Sequence, residues 1–199
     1  MNGNTIVKKV GAIFFVLAGI SLTPLYASDM SYSYAEGSYY IDHEADDVDG
    51  DGGFRIAGAF QATENIFALA SYSKLDFDVP RGYHDIDVTY LKIGGGYIFP
   101  LNESWDINGT FSLIRAEADG ARSKDDTSFG FSGGVRGMVI PTVEVRGRLV
   151  YENTDIYDGS DGFFLEAGGS FYIIPQVSVG LDITLGGDKS MRLGGRYSF

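Results

Sequence analysis

The last nine residues, Met191-Arg-Leu-Gly-Gly-Arg-Tyr-Ser-Phe199, decide the fold. Every second residue from Met191 to Phe199 is apolar, aromatic or Gly, and the residues between them are two arginines, a glycine and a serine. A period of two predicts a β-strand with one apolar face and one polar face. Termini of soluble domains usually fray, whereas a closed barrel needs its last strand to pair with its first. The ending therefore favours a β-barrel, and an edge strand of a soluble sandwich is the alternative.

Residues 1–27 have the composition of a secretory signal peptide. Two lysines precede an apolar run at 10–22, and Leu25-Tyr26-Ala27 offers a cleavage site. The run is shorter than the roughly 18–20 residues that span a bilayer as a helix. We therefore expect a cleavable Sec-type signal peptide at 1–27, followed by one domain at 28–199.

Composition limits the chemistry that is available to this domain. The chain has no Cys, which excludes disulfides and thiolate chemistry, and it contains 28 Gly, 13 Tyr and 14 Phe in 199 residues. The formal net charge of −12 disfavours nucleic-acid binding. The length suits a single domain.

Turn signals divide the domain into ten predicted strands, in which short turns alternate with longer polar connections. The strands are placed at 30–42, 53–62, 66–78, 86–99, 105–117, 127–140, 143–154, 163–174, 177–186 and 190–199. The longer connections are 43–52, 79–85, 118–126, 155–162 and 187–189, and the prolines at 80, 100, 141 and 175 all fall in connections. Short turns at one end and longer loops at the other are typical of a transmembrane barrel with both termini on the periplasmic side. The prediction is a single antiparallel up-and-down barrel of ten strands, with eight strands as the alternative.

Aromatic residues on the apolar faces gather near the strand ends, as in the two aromatic girdles of membrane barrels. The short-turn group is Phe60, Phe67, Tyr97, Phe99, Trp105, Phe171, Tyr197 and Phe199, and the loop group is Tyr39, Phe54, Phe77, Phe129, Tyr151 and Phe163. The third strand is ambiguous, because serines interrupt the apolar face that carries Phe67 and Leu75. A bulge there would exchange its two faces.

The polar faces are assigned to the barrel interior. The predicted interior acids are Glu36, Asp76, Asp106, Glu144, Glu152, Glu166 and Asp182, and the bases are Arg55, Lys74, Lys92, Arg136, Arg146, Arg148, Arg192 and Arg196. Buried unpaired ions are costly, so this near balance predicts ion pairs. Side chains fill barrels of about eight strands, whereas open channels have about sixteen, so we expect a plugged lumen. The alternative is a narrow pore for small solutes, lined by the arginines at 146, 148, 192 and 196.

Most of the 27 acidic residues lie on or beside the longer connections, which predicts an acidic outer surface. Such a surface is expected to share divalent cations with lipopolysaccharide phosphates. Asp47, Asp49 and Asp51 match the start of an EF-hand calcium loop, but Gly58 stands where that loop needs Glu. A solvated acidic loop is the better interpretation, and these aspartates are only a weak calcium candidate.

Catalytic signals are weak. The chain has two histidines, in Asp42-His43 and His84-Asp85, and adjacent residues of a strand point to opposite faces. No recognisable nucleophile accompanies them, so we expect neither an enzyme nor a cofactor.

Four short motifs carry a resemblance to a known family: Tyr32-x-Tyr34-x-Glu36-Gly37-x-Tyr39, Tyr72-Ser73-Lys74, Gly134-Val135-Arg136-Gly137 and Arg196-Tyr197-Ser198-Phe199. They resemble the small porin-like and OmpA-like outer-membrane barrels of Gram-negative bacteria. They are most similar to a ten-stranded group linked to diffusible-signal-factor quorum sensing. The alternating Leu193, Gly195, Tyr197 and Phe199 resemble the C-terminal insertion signal of such proteins.

The resemblance implies an outer-membrane location, contact with lipid and lipopolysaccharide, and the barrel-assembly machinery as a partner during biogenesis. It implies no defined substrate. We therefore expect a structural or surface-interaction role with a charge-plugged lumen, and a narrow porin-like channel is the alternative.

Overall fold

The structure, a computed structural model, describes residues 30–45, 48–77, 86–119, 124–153, 162–186 and 189–199. The predicted signal peptide and most of the predicted long loops therefore lie outside the described residues. The described part of the chain contains no helix with the length and hydropathy that crossing a membrane requires.

Ten antiparallel strands close into one barrel, which confirms the predicted strand number. They are β1 (Tyr34–Ala45), β2 (Val48–Gln61), β3 (Ile66–Phe77), β4 (Ile86–Asn102), β5 (Trp105–Asp119), β6 (Lys124–Ile140), β7 (Val143–Asn153), β8 (Gly162–Ile174), β9 (Val177–Leu185) and β10 (Lys189–Ser198). Each strand pairs with its neighbours in the chain, and β10 pairs with β1. The up-and-down order follows from the short connections, which allow only antiparallel neighbours.

The C-terminal strand closes the barrel, as its alternating pattern predicts. The ladder between β1 and β10 runs from Tyr34 opposite Ser198 to Glu44 opposite Lys189, with one irregularity between Tyr40 and Asp42. Beyond the ladder, the backbone N–H of Phe199 donates to the carbonyl oxygen of Ser33 at 3.0 Å. Closure leaves no strand edge unpaired.

The first hairpin is longer than predicted. The segment 43–52 was expected to be a loop because it is acidic and rich in Gly, yet β1 continues to Ala45 and β2 begins at Val48. Two local features allow the extension: β2 has a bulge between Gly50 and Gly52, and Gly52 has a φ of 119°, a conformation that favours glycine. A Cβ at Gly50 would also overlap the ring of His43.

The prediction that every proline lies in a connection is wrong at one position. Pro141 and Pro175 lie in two-residue turns, but Pro100 lies within β4, opposite Asp106. The ladder is irregular between Pro100 and Asn102. Proline has no N–H to donate, and an irregular strand end tolerates this loss.

The outer wall of the barrel is apolar. The outward side chains include Ile56, Phe60, Ile93, Phe99, Leu113, Phe131, Leu149, Phe163, Phe171, Leu181 and Leu193, each at least 38% exposed. Most of the predicted girdle aromatics are on this wall. Phe67 and Phe77 are exceptions, since they are 5% and 7% exposed and point into the lumen.

Apolar side chains fill the lumen at both ends beside β3 and β4. Near the short turns, the cluster contains Tyr32, Ala59, Phe67 and Ile98; near the loops, it contains Phe77, Val88, Ala116 and Ala118. These two clusters decide the face of β3, because its apolar residues find partners inside and no bulge interrupts its ladder with β4. The polar residues of β3 that alternate with them therefore face outward.

Candidate functional site

The barrel lumen holds the densest group of charged side chains among the described residues. Thirteen of the fifteen predicted interior residues are there. They are Glu36, Arg55, Lys92, Asp106, Arg136, Glu144, Arg146, Arg148, Glu152, Glu166, Asp182, Arg192 and Arg196. Each lies on the inward-facing parity of its strand, as the alternation predicts.

Lys74 and Asp76 are corrections to the predicted set, because both lie on the outer face of β3. Lys74 Nζ lies 2.6 Å from Asp87 Oδ2 and 3.9 Å from Asp76 Oδ1. Their side chains are 35% and 56% exposed, so these pairs are accessible to solvent. Leu75 and Phe77 occupy the inward positions of this strand, which places the charged residues outside.

Glu144 is the centre of the lumen network and is 0% exposed. Its carboxylate accepts hydrogen bonds from Arg136 Nη2 and from the hydroxyl of Tyr172, both at 2.7 Å. Arg146 and Arg196 each approach it at 3.4 Å. These donors come from four strands, so the carboxylate ties β6, β7, β8 and β10 together across the lumen.

Two further carboxylates each accept two N–H groups from one arginine. Glu36 Oε2 accepts from Arg196 Nη2 at 2.7 Å and from Nε at 3.0 Å, and Glu36 Oε1 accepts from Arg55 at 3.1 Å. Asp182 accepts from Arg146 Nε at 2.9 Å and from Nη2 at 2.8 Å. Paired N–H donors fix the orientation of a carboxylate as well as its distance, which makes this part of the network rigid.

The remaining pairs lie closer to the loop end. Glu166 binds Arg148 closely, and Arg192 Nη2 lies 3.8 Å from its other oxygen. Lys92 donates to both oxygens of Glu152 at 2.5 and 2.6 Å. The pair between Lys92 on β4 and Glu152 on β7 crosses the lumen, because these strands are not neighbours.

Three tyrosines, which were not among the predicted interior residues, also face the lumen. Tyr32 donates to Asp106 at 2.5 Å, and its ring lies 4.7 Å from the Arg136 guanidinium and 4.7 Å from the ring of Phe67. Tyr34 and Tyr40 lie under Arg196 and Arg192 at 4.4 and 5.6 Å. The parity of β1 was the available signal, since these tyrosines alternate with the same spacing as Glu36.

A small cavity lies within the network. Its volume is about 50 Å³, and it is lined by Tyr34, Glu36, Arg55, Arg146, Arg148, Glu166, Ala167, Asp182 and Arg192. A buried water needs about 10–15 Å³ of such volume, so the cavity accommodates a few waters or one small ion.

Two of the three calcium candidates lie within a described strand. Asp47 lies outside them, and Asp49 and Asp51 lie in β2, where Asp49 is opposite Glu44 in the ladder. An EF-hand loop needs a compact turn around the ion, which an extended strand does not provide. Within the described ranges, no group of three His, Cys, Asp or Glu residues is arranged to hold a metal ion.

Asp42 and His43 point to opposite faces of β1, as strand geometry requires. His43 is 4% exposed and packs edge-on against Phe77, with ring centroids 4.7 Å apart, whereas Asp42 is exposed. His84 and Asp85 lie outside the described residues. His43 was expected in an outer loop, and it is instead an interior residue of β1.

The residues of the predicted insertion signal lie on one face of the C-terminal strand. Leu193 and Phe199 are 55% and 62% exposed on the outer wall, and Gly195 and Tyr197 share their parity. The rings of Tyr197 and Phe199 are stacked with centroids 6.3 Å apart.

Comparisons with known proteins agree with this architecture. A family model for the outer membrane protein β-barrel domain matches residues 12–195. No curated protein matches the chain significantly.

Several solved outer-membrane barrels are similar to this chain at low sequence identity. The β-domain of the Bordetella autotransporter BrkA has a TM-score of 0.50 at 13% identity, covering 84% of this chain and 99% of that one. Ail of Yersinia pestis, solved with the heparin analogue sucrose octasulfate, has a TM-score of 0.46 at 16% identity, with coverages of 84% and 97%. The KdgM porin has a TM-score of 0.46 at 10% identity, with coverages of 83% and 99%. Because the family match covers most of its length, this chain belongs to the outer membrane protein β-barrel domain family and is an outer membrane protein.

Proposed function

We propose that this chain is a closed-lumen outer membrane barrel with a structural and surface-interaction role, and that it is not an enzyme. The observation that carries the proposal is the complete burial of Glu144, which binds side chains from four strands. A water-filled channel exposes the side chains that line it. In this lumen, Val88, Ile114 and Ala116 are also 0% exposed.

The energetics of the network support closure. Removing one partner of a buried ion pair typically costs about 3–5 kcal/mol, because the remaining charge is left uncompensated. Opening a continuous path past Glu144 requires several of its contacts to separate together. At the short-turn end, Arg136 also donates to the carbonyl oxygen of Ser31 at 3.0 Å, which ties the chain before β1 to β6.

The apolar outer wall supports insertion in the lipid, with both termini on the periplasmic side. A soluble monomer rarely exposes a continuous apolar surface larger than a few hundred Å². The described strands are 9–17 residues long, and about 9–11 residues cross the hydrocarbon layer when tilted. The predicted signal peptide and the C-terminal insertion signal belong to the same proposal, with the barrel-assembly machinery as the partner that inserts the chain.

Charged residues on the outer wall at the loop end offer a surface for lipopolysaccharide. Lys74 pairs with Asp87 at 2.6 Å, and Arg115 pairs with Glu117 at 2.8 Å. Basic side chains bind phosphates directly, and acidic ones bind them through divalent cations. Mg²⁺ titration should raise the unfolding temperature in lipopolysaccharide-containing bilayers, and a smaller rise is expected for a Glu117→Ala variant. An unfolding temperature that does not change with Mg²⁺ would show that the barrel does not share divalent cations with lipopolysaccharide.

A narrow channel for small solutes is the second candidate. Two observations favour it: the lumen contains the cavity of about 50 Å³, and the side chain of Arg148 is 42% exposed. Such a channel would favour anions, because four arginines and three carboxylates line this cavity. We also propose that the chain belongs to the ten-stranded group linked to diffusible-signal-factor quorum sensing. This membership does not specify a substrate.

Single-channel conductance in a planar bilayer separates the two candidates. We expect the refolded wild-type barrel to insert without unitary steps, since its lumen is closed. An Arg146→Ala/Arg148→Ala variant removes two cavity-lining guanidinium groups, and an Arg115→Ala variant on the outer wall is the matched control. Stable wild-type steps, with an ion selectivity that changes in the double variant but not in the control, would contradict closure and establish the channel.

A further inference from the structure

The lining of the cavity carries one more positive charge than negative charges. Its charged residues are four arginines, at positions 55, 146, 148 and 192, and three carboxylates, those of Glu36, Glu166 and Asp182. A buried ion without a counter-charge is strongly unfavourable, so the position of the extra cation is informative.

Arg192 is the least satisfied cation of the network. Its side chain is 7% exposed, its ion pair with Glu166 is long at 3.8 Å, and Glu166 already binds Arg148. Its Nε has no hydrogen-bond partner among the described residues. The ring of Tyr40 at 5.6 Å offers only a cation–π contact.

The natural partner of Arg192 is occupied by another arginine. Asp182 lies directly opposite Arg192 in the ladder between β9 and β10. Both oxygens of Asp182 instead accept from Arg146 at 2.9 and 2.8 Å. Arg192 therefore lies beside a carboxylate whose strongest acceptor positions are in use.

The cavity lies where the unsatisfied guanidinium is. Arg192 lines it together with three further arginines, at positions 55, 146 and 148. Its volume of about 50 Å³ suits one small monatomic anion. A polyvalent anion would be repelled by the carboxylates of Glu36 and Glu166, which share the lining.

We propose that this cavity binds one small monovalent anion of the halide class, held by Arg192 with help from Arg55 and Arg148. The anion supplies the missing negative charge and accepts from the guanidinium N–H groups that line the cavity. This anion site goes beyond the closed-lumen role, because a bound counter-ion makes the stability of the barrel dependent on halide concentration.

Bromide is the probe, because its anomalous scattering identifies it. Crystals of the refolded barrel grown in bromide should show one anomalous peak in the cavity, within hydrogen-bonding distance of Arg192. In solution, replacing gluconate with bromide at constant ionic strength should raise the unfolding temperature of the wild type and of the outer-wall control Arg115→Gln. The rise should be about threefold smaller in Arg192→Gln, because stabilisation by a bound anion falls as its dissociation constant rises.

The wild-type crystal decides the matter even if Arg192→Gln does not fold. Water alone in the cavity, or bromide only at surface positions, would overturn the proposal. An equal bromide effect in Arg192→Gln and Arg115→Gln would also overturn it. Conductance measured on the same preparation tests closure separately, so a silent barrel without cavity bromide rejects the anion site and leaves the closed lumen intact.

Discussion

Replacing Glu144 by Gln tests the charge network at its centre. The substitution keeps the size and shape of the side chain and removes one negative charge from a position that is 0% exposed. Arg136 loses its ionic partner at 2.7 Å, and Tyr172 loses a charged acceptor at the same distance. The amide nitrogen of Gln also points a donor toward a guanidinium group, so the variant loses attraction and gains repulsion.

The expected magnitude follows from which contacts are lost. Arg146 and Arg196 lie 3.4 Å from Glu144 and have shorter bonds to Asp182 and Glu36, so they retain most of their stabilisation. Arg136 retains the carbonyl oxygen of Ser31 and the ring of Tyr32, but it has no other ion pair within 4.0 Å among the described residues. Uncompensated burial of one charge corresponds to about 3–5 kcal/mol in the free energy of unfolding.

Urea unfolding of the barrel in lipid vesicles measures this difference, with folding followed by the heat-dependent shift on gels. Glu117→Gln is the matched control, because it removes the same charge from an exposed pair with Arg115 at 2.8 Å. Exposed ion pairs contribute about 0–1 kcal/mol. If Glu144→Gln lowers the free energy of unfolding by no more than Glu117→Gln does, the lumen network does not hold the barrel closed.

Two further predictions concern the outer wall and the C-terminal strand. Gly137→Ala should lower the free energy of unfolding by about 1–3 kcal/mol, because a Cβ there would overlap the indole of Trp105. Gly133→Ala on the same strand is the control, since a Cβ at Gly133 meets nothing within 4 Å. Equal urea midpoints for the two alanine variants would contradict this packing. Phe199→Ala should slow assembly into membranes that contain the barrel-assembly machinery far more than Phe171→Ala does. Phe171→Ala is the control, because it removes an outward phenylalanine that is 53% exposed. Equal assembly rates would show that the terminal aromatic acts only through lipid contact.

The strand number and most of the lumen set follow from the sequence, because both depend on a period of two. Once the polar face of a strand is assigned to the interior, residues such as Arg146 and Arg148 are placed by parity alone. The same rule misplaced Lys74, because β3 has polar residues on both faces and the choice depends on neighbouring strands. Phe77 packs against Val88 and Ala116 inside the barrel. The sequence of β3 alone does not reveal this contact, because Val88 and Ala116 are on other strands.

The first hairpin shows a second limit. Gly and Asp are common in loops, so the segment 43–52 was predicted as one, yet Gly50 and Gly52 allow a bulged strand to continue around His43. A glycine in a barrel sequence can therefore indicate either a loop or a bulged strand. The distinction depends on whether a facing side chain needs the space that a Cβ would fill, and that side chain lies on another strand.

Partner choice inside the lumen is the part of the site that parity cannot supply. Register places Arg192 opposite Asp182, and a sequence-based pairing would join them. Arg146, on β7, binds that carboxylate instead. Its guanidinium group reaches across β8 at Gly168, which has no side chain to block it. A Cβ at Gly168 would overlap the carboxylate of Asp182. The displaced Arg192 borders the cavity as a direct consequence. A Gly168→Ala variant should therefore disturb the bond between Arg146 and Asp182 and return Asp182 to Arg192, and it should weaken bromide binding without removing any charge.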